Sequence, residues 1–176
     1  MRCGPVSKAS LPPSLISRRA WCAPRAGPTA CLAPLFRKTG WQFVSLQRDL
    51  RPGDDAILRQ HPNVIRCDPT PTDFADTAVL ITRLDIVVCV DTAAAHLAGA
   101  LGKPLLLLLP YAADFRWLRG REDSPRYPTA RLLRQAAFGD WDSVVRRLPA
   151  IGGMLVRMRP QSDTHSAQVC GEPTAS

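Results

Sequence analysis

Two unbroken apolar runs mark the middle of the chain. Ile86–Val90 lies between two aspartates, and Leu105–Leu109 is closed by a proline. Runs of this length are typical of parallel strands that are buried on both faces of a sheet. Between them, the Ala- and Leu-rich residues 92–101 predict a helix that stops at Gly102, a residue type favoured just past a helix end.

Weaker patterns on both sides extend the same alternation of strand and helix. They predict strands at 42–47, 64–67 and 131–135, and helices that begin at Asp54 and Asp73 as caps and at Asp140. The helix from Asp73 has an apolar side with Phe74, Val79, Leu80 and Ile81, and the last helix is expected to end before Pro149. Strand and helix in regular alternation predict an α/β fold, a Rossmann-like parallel sheet with helices on both faces.

The two ends of the chain differ from this body. Residues 1–40 repeat Pro, Arg, Ser and Ala without a period, so they are expected to form a disordered or unrelated arm. A transit peptide and a secretory signal are the alternatives, although an amphipathic helix and a continuous apolar stretch are both missing. The predicted organisation is therefore an arm at 1–40, a Rossmann-like domain at 41–150 and a loose tail at 151–176.

Charge is distributed unevenly over the 176 residues. The net charge is +8, but residues 1–40 hold seven basic side chains and no acidic one, which leaves the body close to neutral. A nearly neutral body offers no basic face for nucleic acid, so no nucleic-acid partner is expected. The longest aliphatic run has only five residues, and no membrane span is expected because one needs about 20.

The six cysteines show no metal-binding pattern. They are irregularly spaced, without Cys-x-x-Cys or a nearby histidine, so we expect no metal site. Structural thiols of this kind indicate a reducing compartment, and the expected location is cytoplasmic.

The candidate chemistry follows the first apolar run. In a parallel sheet, ligands bind beyond the carboxyl ends of the strands, where helix amino termini gather. Asp91 stands at this exit, and Thr92, Ala93 and Ala94 form the first helical turn, whose N–H groups favour a phosphate. His96 follows Thr92 by four residues and lies on the same helical face. The alternatives are that Asp91 only caps the helix and that His96 is a core residue hydrogen-bonded to backbone.

Two other segments are expected at the same edge of the sheet. Gln47 and Arg48 follow the strand at 42–47, and an arginine there could neutralise a diphosphate or simply lie in a solvated turn. The stretch from Asp114 to Tyr127 mixes aromatic and charged residues. It is a lid, a partner surface or an insertion packed by its own aromatic side chains.

Several ordered blocks resemble one known family. The chain is similar to the carboxyl-terminal half of glycosyltransferases related to ADP-heptose:lipopolysaccharide heptosyltransferases, especially bacterial proteins that join this domain to tetratricopeptide repeats. The matching blocks are FVSLQ at 43–47, DFADTA at 73–78, LDIVVCVDTAAAHLAGALGKP at 84–104, LPY at 109–111, DFRWL at 114–118, and REDSP with YP at 121–128.

The resemblance implies a GT-B architecture, in which two Rossmann-like domains face each other and the second holds a nucleotide-sugar donor. In that family an Asp-Thr/Ser-x-x-x-His segment lines the nucleotide and diphosphate. Carried over, it assigns donor contacts to Asp91, Thr92 and His96, with the N–H groups of Ala93 and Ala94 beside them. The donor would be a substrate, and no cofactor is expected.

The chain also departs from the family. A Gly-Asn element usual before the FVSLQ strand is missing, as are the acceptor-side domain that carries the catalytic base and any helical repeat. Phe115 and Arg126 stand where relatives often have Trp. We therefore expect a truncated donor half that binds a nucleotide sugar and needs a partner chain or the missing half for activity. The alternatives are a non-catalytic protein-interaction module and a poorly stable broken product; a Rossmann dehydrogenase is disfavoured because no Gly-x-Gly-x-x-Gly follows a predicted strand.

Overall fold

The computed structural model describes residues 17–21, 29–38, 40–46, 53–66 and 73–157. These residues contain six strands and five α-helices. The strands are β1 (Ser17–Trp21), β2 (Trp41–Ser45), β3 (Val64–Arg66), β4 (Ile86–Val90), β5 (Leu105–Leu109) and β6 (Ala130–Arg134). The helices are α1 (Ala33–Phe36), α2 (Asp54–Arg59), α3 (Phe74–Thr82), α4 (Ala93–Ala100) and α5 (Trp141–Arg157). None of the described helices is long and apolar enough to cross a membrane.

The strands form one parallel sheet in the order β3-β2-β1-β4-β5-β6. From β1 the chain adds β2 and β3 on one side of the sheet. It then returns to the middle and adds β4, β5 and β6 on the other side. The strand order therefore reverses between β1 and β4, which are neighbours in the sheet. The predicted Rossmann-like parallel sheet is confirmed.

Helices cover both faces of the sheet, as predicted. One core cluster joins β4 residues Val88 and Val90 to side chains of α1, α2 and α5. The other joins Val87 and Cys89 to side chains of α3 and α4. Successive residues of a strand point to opposite faces, so an entirely apolar strand such as β4 supplies both clusters.

The Rossmann-like unit begins before residue 41. Residues 17–21, expected in the arm, form β1 between β2 and β4 at the centre of the sheet. Residues 29–36 form a 3-10 turn followed by α1, and Leu32, Leu35 and Phe36 are buried in the core. The sequence pattern missed β1 because SRRAW contains two arginines and no apolar run.

The last helix does not end before Pro149, as expected, but continues to Arg157. Residues 151–157, expected in the loose tail, are therefore helical, and residues 158–176 lie outside the described part. Proline lacks one N–H donor, which costs one intrahelical hydrogen bond rather than the whole helix. Trp141, Val144 and Leu148 anchor the first half of α5 in the core.

Of the two predicted N-cap residues, the structure confirms Asp73 and not Asp54. Asp73 caps α3, and its Oδ1 accepts a hydrogen bond from the N–H of Asp76 at 2.8 Å. The prediction that Asp54 caps α2 is wrong, because Gly53 occupies the cap with φ of 90° and Asp54 is the first helical residue. The predicted apolar side of α3 is also partly wrong: Ile81 is buried, but Phe74 is 66% exposed.

Candidate functional site

The candidate residues lie next to the point where the strand order reverses, between β1 and β4. Connections that leave β1 and β4 lead to α1 and α4, on opposite faces of the sheet. Ligands of open α/β sheets bind beyond the carboxyl ends of two such strands, and we call this position between β1 and β4 the crevice. Asp91 and Thr92 connect β4 to α4 and border this crevice.

Thr92 starts α4 with its backbone rather than with its side chain. Its extended backbone occupies the N-cap position, and its carbonyl accepts hydrogen bonds from the N–H groups of Ala95 and His96. The hydroxyl lies 3.3 Å from the carbonyl oxygen of Val90 and 3.0 Å from the thiol of Cys89. The N–H groups of Ala93 and Ala94 precede the first intrahelical bond, so they carry the positive end of the helix dipole.

Asp91 does not occupy the helix cap, and its carboxylate contacts two basic side chains. One oxygen lies 3.4 Å from Nε2 of His96, and the other lies 3.5 Å from Nη2 of Arg116. The aspartate side chain is 24% exposed, so these contacts lie at the protein surface beside the crevice. The structure thus brings the predicted Asp91 and His96 together.

His96 is held by side chains on both of its nitrogens and on one ring face. Nδ1 lies 2.9 Å from the hydroxyl of Tyr127, and the ring stacks on Trp117 with centroids 5.3 Å apart. These contacts differ from the alternative of a core histidine bonded to backbone. Its side chain is 28% exposed, which leaves part of the imidazole open to a ligand.

The connection from β5 to β6 forms one wall of the site, and we name residues 111–128 the β5–β6 loop. Trp117 is 2% exposed, whereas Phe115 is 84% exposed, so the loop uses only part of its aromatic set for packing. Arg134 of β6 donates to the carbonyl of Leu118 at 2.5 Å and holds the loop near its middle. Sequence reasoning singled out this loop without assigning Arg116, Trp117 or Tyr127 to the site.

Contacts within the loop shift the pKa values of Asp114 and Arg116. Asp114 accepts from the backbone N–H of Arg116, and this bond, with the guanidinium beside it, lowers the pKa of the carboxyl. The pKa of Arg116 is raised by the same carboxylate and then by Asp91. Arg116 therefore stays cationic next to the crevice.

Other predicted features fall elsewhere. Gln47 and Arg48 lie outside the described residues. Within the described part, no group of three His, Cys, Asp or Glu side chains could hold a metal ion. A cavity of about 400 Å³ lies between α1 and α5, on the face away from α4, and its lining includes Cys31 and Asp142. Burial and then Asp142 raise the pKa of the Cys31 thiol, which is thus protonated rather than reactive.

Comparison with known proteins relates this geometry to one enzyme family. Residues 64–114 match the model of Glycosyltransferase family 9 (heptosyltransferase), a range that includes Asp91, Thr92 and His96. The chain resembles glycosyltransferase family 9. The predicted similarity to heptosyltransferase-related glycosyltransferases is therefore confirmed, and the family 9 match stops before Arg116 and Tyr127.

Solved structures of family 9 share the fold. A glycosyl transferase family 9 protein of Veillonella parvula superposes with a TM-score of 0.59 at 12% identity, covering 81% of this chain and 47% of that one. The ADP-heptose LPS heptosyltransferase II of E. coli gives 0.58 at 19% identity, covering 82% and 48%. The chain spans about half the length of these structures, and its sheet resembles one half of a GT-B fold.

A curated relative covers most of this chain as well. Protein FlbA of Caulobacter vibrioides is 27% identical over 150 residues, which are 82% of this chain and 25% of that protein. The chain therefore spans about a quarter of the length of FlbA.

Proposed function

We propose that this chain is a donor-binding domain of glycosyltransferase type, which holds the diphosphate of a nucleotide sugar at the amino terminus of α4. One observation carries the proposal: Asp91, Thr92 and α4 border the crevice between β1 and β4, with His96 one turn further along. The crevice position favours a nucleotide, and the helix terminus favours its phosphates. The resemblance to family 9 supports a sugar-linked diphosphate as the ligand.

Hydrogen-bond donors around the crevice support an anionic ligand. Arg116 and His96 face Asp91 from the loop and from α4. The backbone N–H groups of Ala93 and Ala94 are additional hydrogen-bond donors, because the first turn of a helix leaves them without an intrahelical partner. Gln47 and Arg48 follow β2 in the sequence and are proposed as further donor contacts.

The proposed activity is binding without sugar transfer. An inverting transferase needs a base that activates the acceptor hydroxyl, and the site offers donors and cations for the leaving diphosphate instead. We propose that the acceptor side comes from a further segment or from a partner chain. The nucleotide sugar is the substrate and no cofactor is required. The irregular spacing of the cysteines in the sequence fits a cytoplasmic location, which fractionation of cells expressing the chain would test.

Calorimetric titration with ADP and UDP tests the proposal. We expect saturable binding that His96→Ala and Asp91→Ala each weaken by at least about tenfold. The first removes a side chain proposed to contact the ligand, and the second removes the carboxylate that holds His96 and Arg116 in place. His61→Ala is the matched control: His61 precedes β3 at the opposite edge of the sheet, where its ring contacts Phe36. A folded chain that binds neither nucleotide at millimolar concentration would contradict the proposal.

A second candidate function is a non-catalytic protein-interaction module. Four of the seven exposed large apolar side chains in the described residues lie on the connections that leave β5 and β6 at the carboxyl edge: Tyr111, Phe115, Leu118 and Phe138. Exposed apolar side chains gathered at one edge favour a protein partner. We propose an acceptor-side domain as that partner, which makes the two candidate functions compatible.

A further inference from the structure

One residue of the β5–β6 loop has a backbone conformation that leucine rarely adopts. Leu118 has φ of 49° and ψ of 173°, and it is the one non-glycine residue with a positive φ in the part of the chain that the structure describes. Glycine is favoured in this region because a Cβ atom there crowds the backbone. A leucine keeps such a conformation where neighbouring contacts hold it.

Two hydrogen bonds hold the backbone of Leu118. Its N–H donates to the carbonyl of Phe115 at 3.0 Å and closes the 3-10 turn at Phe115–Trp117. Its carbonyl accepts from Nη2 of Arg134 at 2.5 Å, and the carbonyl of Trp117 lies 3.4 Å from the same nitrogen. The first bond is local, so it is the bond to Arg134 that ties Leu118 to the sheet.

Arg134 depends on these carbonyls as much as the loop depends on Arg134. Burial, followed by the nearby Arg119, lowers the pKa of its guanidinium. Among the described residues, no carboxylate forms an ion pair with Arg134. A charged donor that has lost water binds strongly to the acceptors that remain, here the two loop carbonyls. Such a bond and the cost of the backbone conformation are of similar size, so Arg134 can hold Leu118 in place.

The turn that precedes Leu118 brings two side chains to the candidate site. Nη2 of Arg116 lies 3.5 Å from a carboxylate oxygen of Asp91. Trp117 stacks on His96 with ring centroids 5.3 Å apart. Because Arg116 and Trp117 come directly before Leu118, a change in its backbone angles turns both side chains relative to the rest of the loop.

The two ends of the β5–β6 loop are held without Arg134. At the start, the N–H of Tyr111 donates to Oε1 of Gln135 at 3.1 Å. At the end, the ring of Tyr127 lies against α4, where a Cβ atom on Gly99 would come within 2.5 Å of it. Loss of the bond to Arg134 should therefore release the middle of the loop and leave both ends in place.

We propose that Arg134 is a positioning residue, which holds the turn at Phe115–Trp117 against the candidate site through its bond to Leu118. The side chains of the site that depend on this turn are Asp91 and His96. Without the bond, Leu118 relaxes to a negative φ and the turn moves away from both. The effect on ligand binding rests on the proposed function, whereas the position of the turn does not.

Proton NMR of the His96 ring in the full chain tests the position of the turn. A stacked indole shifts the ring protons of its neighbour upfield, and a His96→Gln variant identifies these signals among the three histidines. We expect Arg134→Gln to move the His96 signals toward those of an unstacked histidine. Arg131→Gln is the matched control, because Arg131 is an exposed arginine of the same strand, and it should leave the signals unchanged.

Glycine at position 118 separates positioning from a general effect on stability. In the Arg134→Gln chain, Leu118→Gly should move the His96 signals back toward their wild-type positions, because glycine adopts a positive φ without the help of Arg134. Leu101→Gly is the control: Leu101 is similarly exposed, 39% against 46%, but its φ is −79°, so it should restore nothing. A folded Arg134→Gln chain in which Leu118→Gly restores nothing either would overturn the proposal.

A second measurement applies even if Arg134→Gln does not fold. In the otherwise wild-type chain, Leu118→Gly should leave the urea midpoint of unfolding unchanged or raise it, because glycine removes the strain at this position. Leu101→Gly should lower the midpoint, since a glycine at an ordinary φ only adds freedom to the unfolded chain. Equal lowering by both substitutions would overturn the proposal.

Titration with ADP connects the position of the turn to ligand binding. Arg134→Gln should weaken ADP binding about threefold to tenfold, and Leu118→Gly should recover affinity in that chain, whereas Arg131→Gln should change nothing. Unchanged affinity in an Arg134→Gln chain with displaced His96 signals would overturn the role in binding. If the NMR signals behave as expected but the wild-type chain binds no ADP, the positioning role stands and the proposed function fails.

Discussion

The side chains at the candidate site nearly cancel one another's charge. Asp91 lies between His96 and Arg116, and Arg116 lies between Asp91 and Asp114. With two carboxylates and one guanidinium, this cluster has little net attraction for an anion when His96 is neutral. The attraction must then come from the backbone N–H groups in the first turn of α4.

Asp114 makes this arrangement sensitive to acid. The backbone N–H of Arg116, followed by its guanidinium, lowers the pKa of Asp114 below the ordinary value of 3.8. A carboxylate with a lowered folded pKa stabilises the fold above the unfolded pKa, and this contribution is lost as pH falls through the folded pKa. We expect the Arg116 Nε–H signal in NMR to persist below pH 3.8 and to broaden as Asp114 takes up its proton.

The matched control for that titration is the pair of Arg121 and Asp123, in which the pKa of the aspartate is also lowered by its arginine. Asp114→Asn should weaken the Arg116 signal at neutral pH, whereas Asp123→Asn should leave it unchanged. A carbon-13 titration in which Asp114 ionises at or above the ordinary value would contradict the prediction.

Part of this residue-scale arrangement can be predicted from the sequence. The sequence predicts that Thr92 and His96 share a helical face, because they are four residues apart. Asp91 precedes the helix, so its contact with His96 does not follow from helical spacing. Tyr127 is 31 residues from His96, and no periodicity links the two. One signal was present: a glycine inside a helix costs stability, so Gly99 indicated that another group approaches α4 closely.

At the scale of elements, apolar runs located the strands well and the remaining elements less well. β4 and β5 were predicted with the bounds that the structure gives, because burial on both faces requires every residue to be apolar. The central strand β1 contains two arginines, so this rule could not find it. Its place depends on parallel pairing with β2 and β4, which involves backbone and not side-chain pattern.

Pro149 provides a test of the continuous helix α5. A proline at the ninth of 17 residues leaves the carbonyl four residues earlier without its helical donor. Pro149→Ala restores that N–H, and we expect it to raise the free energy of unfolding in urea by about 1–3 kcal/mol. The gain would confirm that α5 continues through this position.

The control for this substitution is Pro34→Ala. Pro34 stands in the first turn of α1, where a missing N–H and a fixed φ suit the helix. Its replacement should bring no comparable gain. A Pro149→Ala chain that is less stable than wild type would contradict the prediction and would place the end of the helix before residue 149.

At the scale of the whole molecule, alternation predicted the fold class but not the order of strands. The order β3-β2-β1-β4-β5-β6 includes a crossover between β3 and β4, and it is this crossover that places Asp91 at the crevice. Parallel strands of similar composition can be ordered in several ways. The sequence pattern therefore located the connection from β4 to α4, but it did not show which strand lies beside it. The same order leaves the connections that follow β5 and β6 side by side.

These adjacent connections lead to a prediction about association. Phe115 and Phe138 are 84% and 79% exposed, and Phe138 packs against Tyr111 with ring centroids 4.7 Å apart. A chain that exposes such side chains at one edge should associate through that edge. We expect sedimentation velocity to show association that increases with concentration, and Phe115→Ser with Phe138→Ser to reduce it.

Phe74→Ser is the control for this edge, because Phe74 is a phenylalanine of similar exposure, 66%, at the start of α3. Its replacement should leave association unchanged if the carboxyl edge is responsible. Equal reduction by both substitutions would indicate unspecific hydrophobic contact. A wild-type chain that remains monomeric at all concentrations would show that the aromatic edge does not bind a second copy. Binding of an acceptor-side domain would then be measured in the same way. Phe115→Ser with Phe138→Ser should weaken that binding, and Phe74→Ser should not.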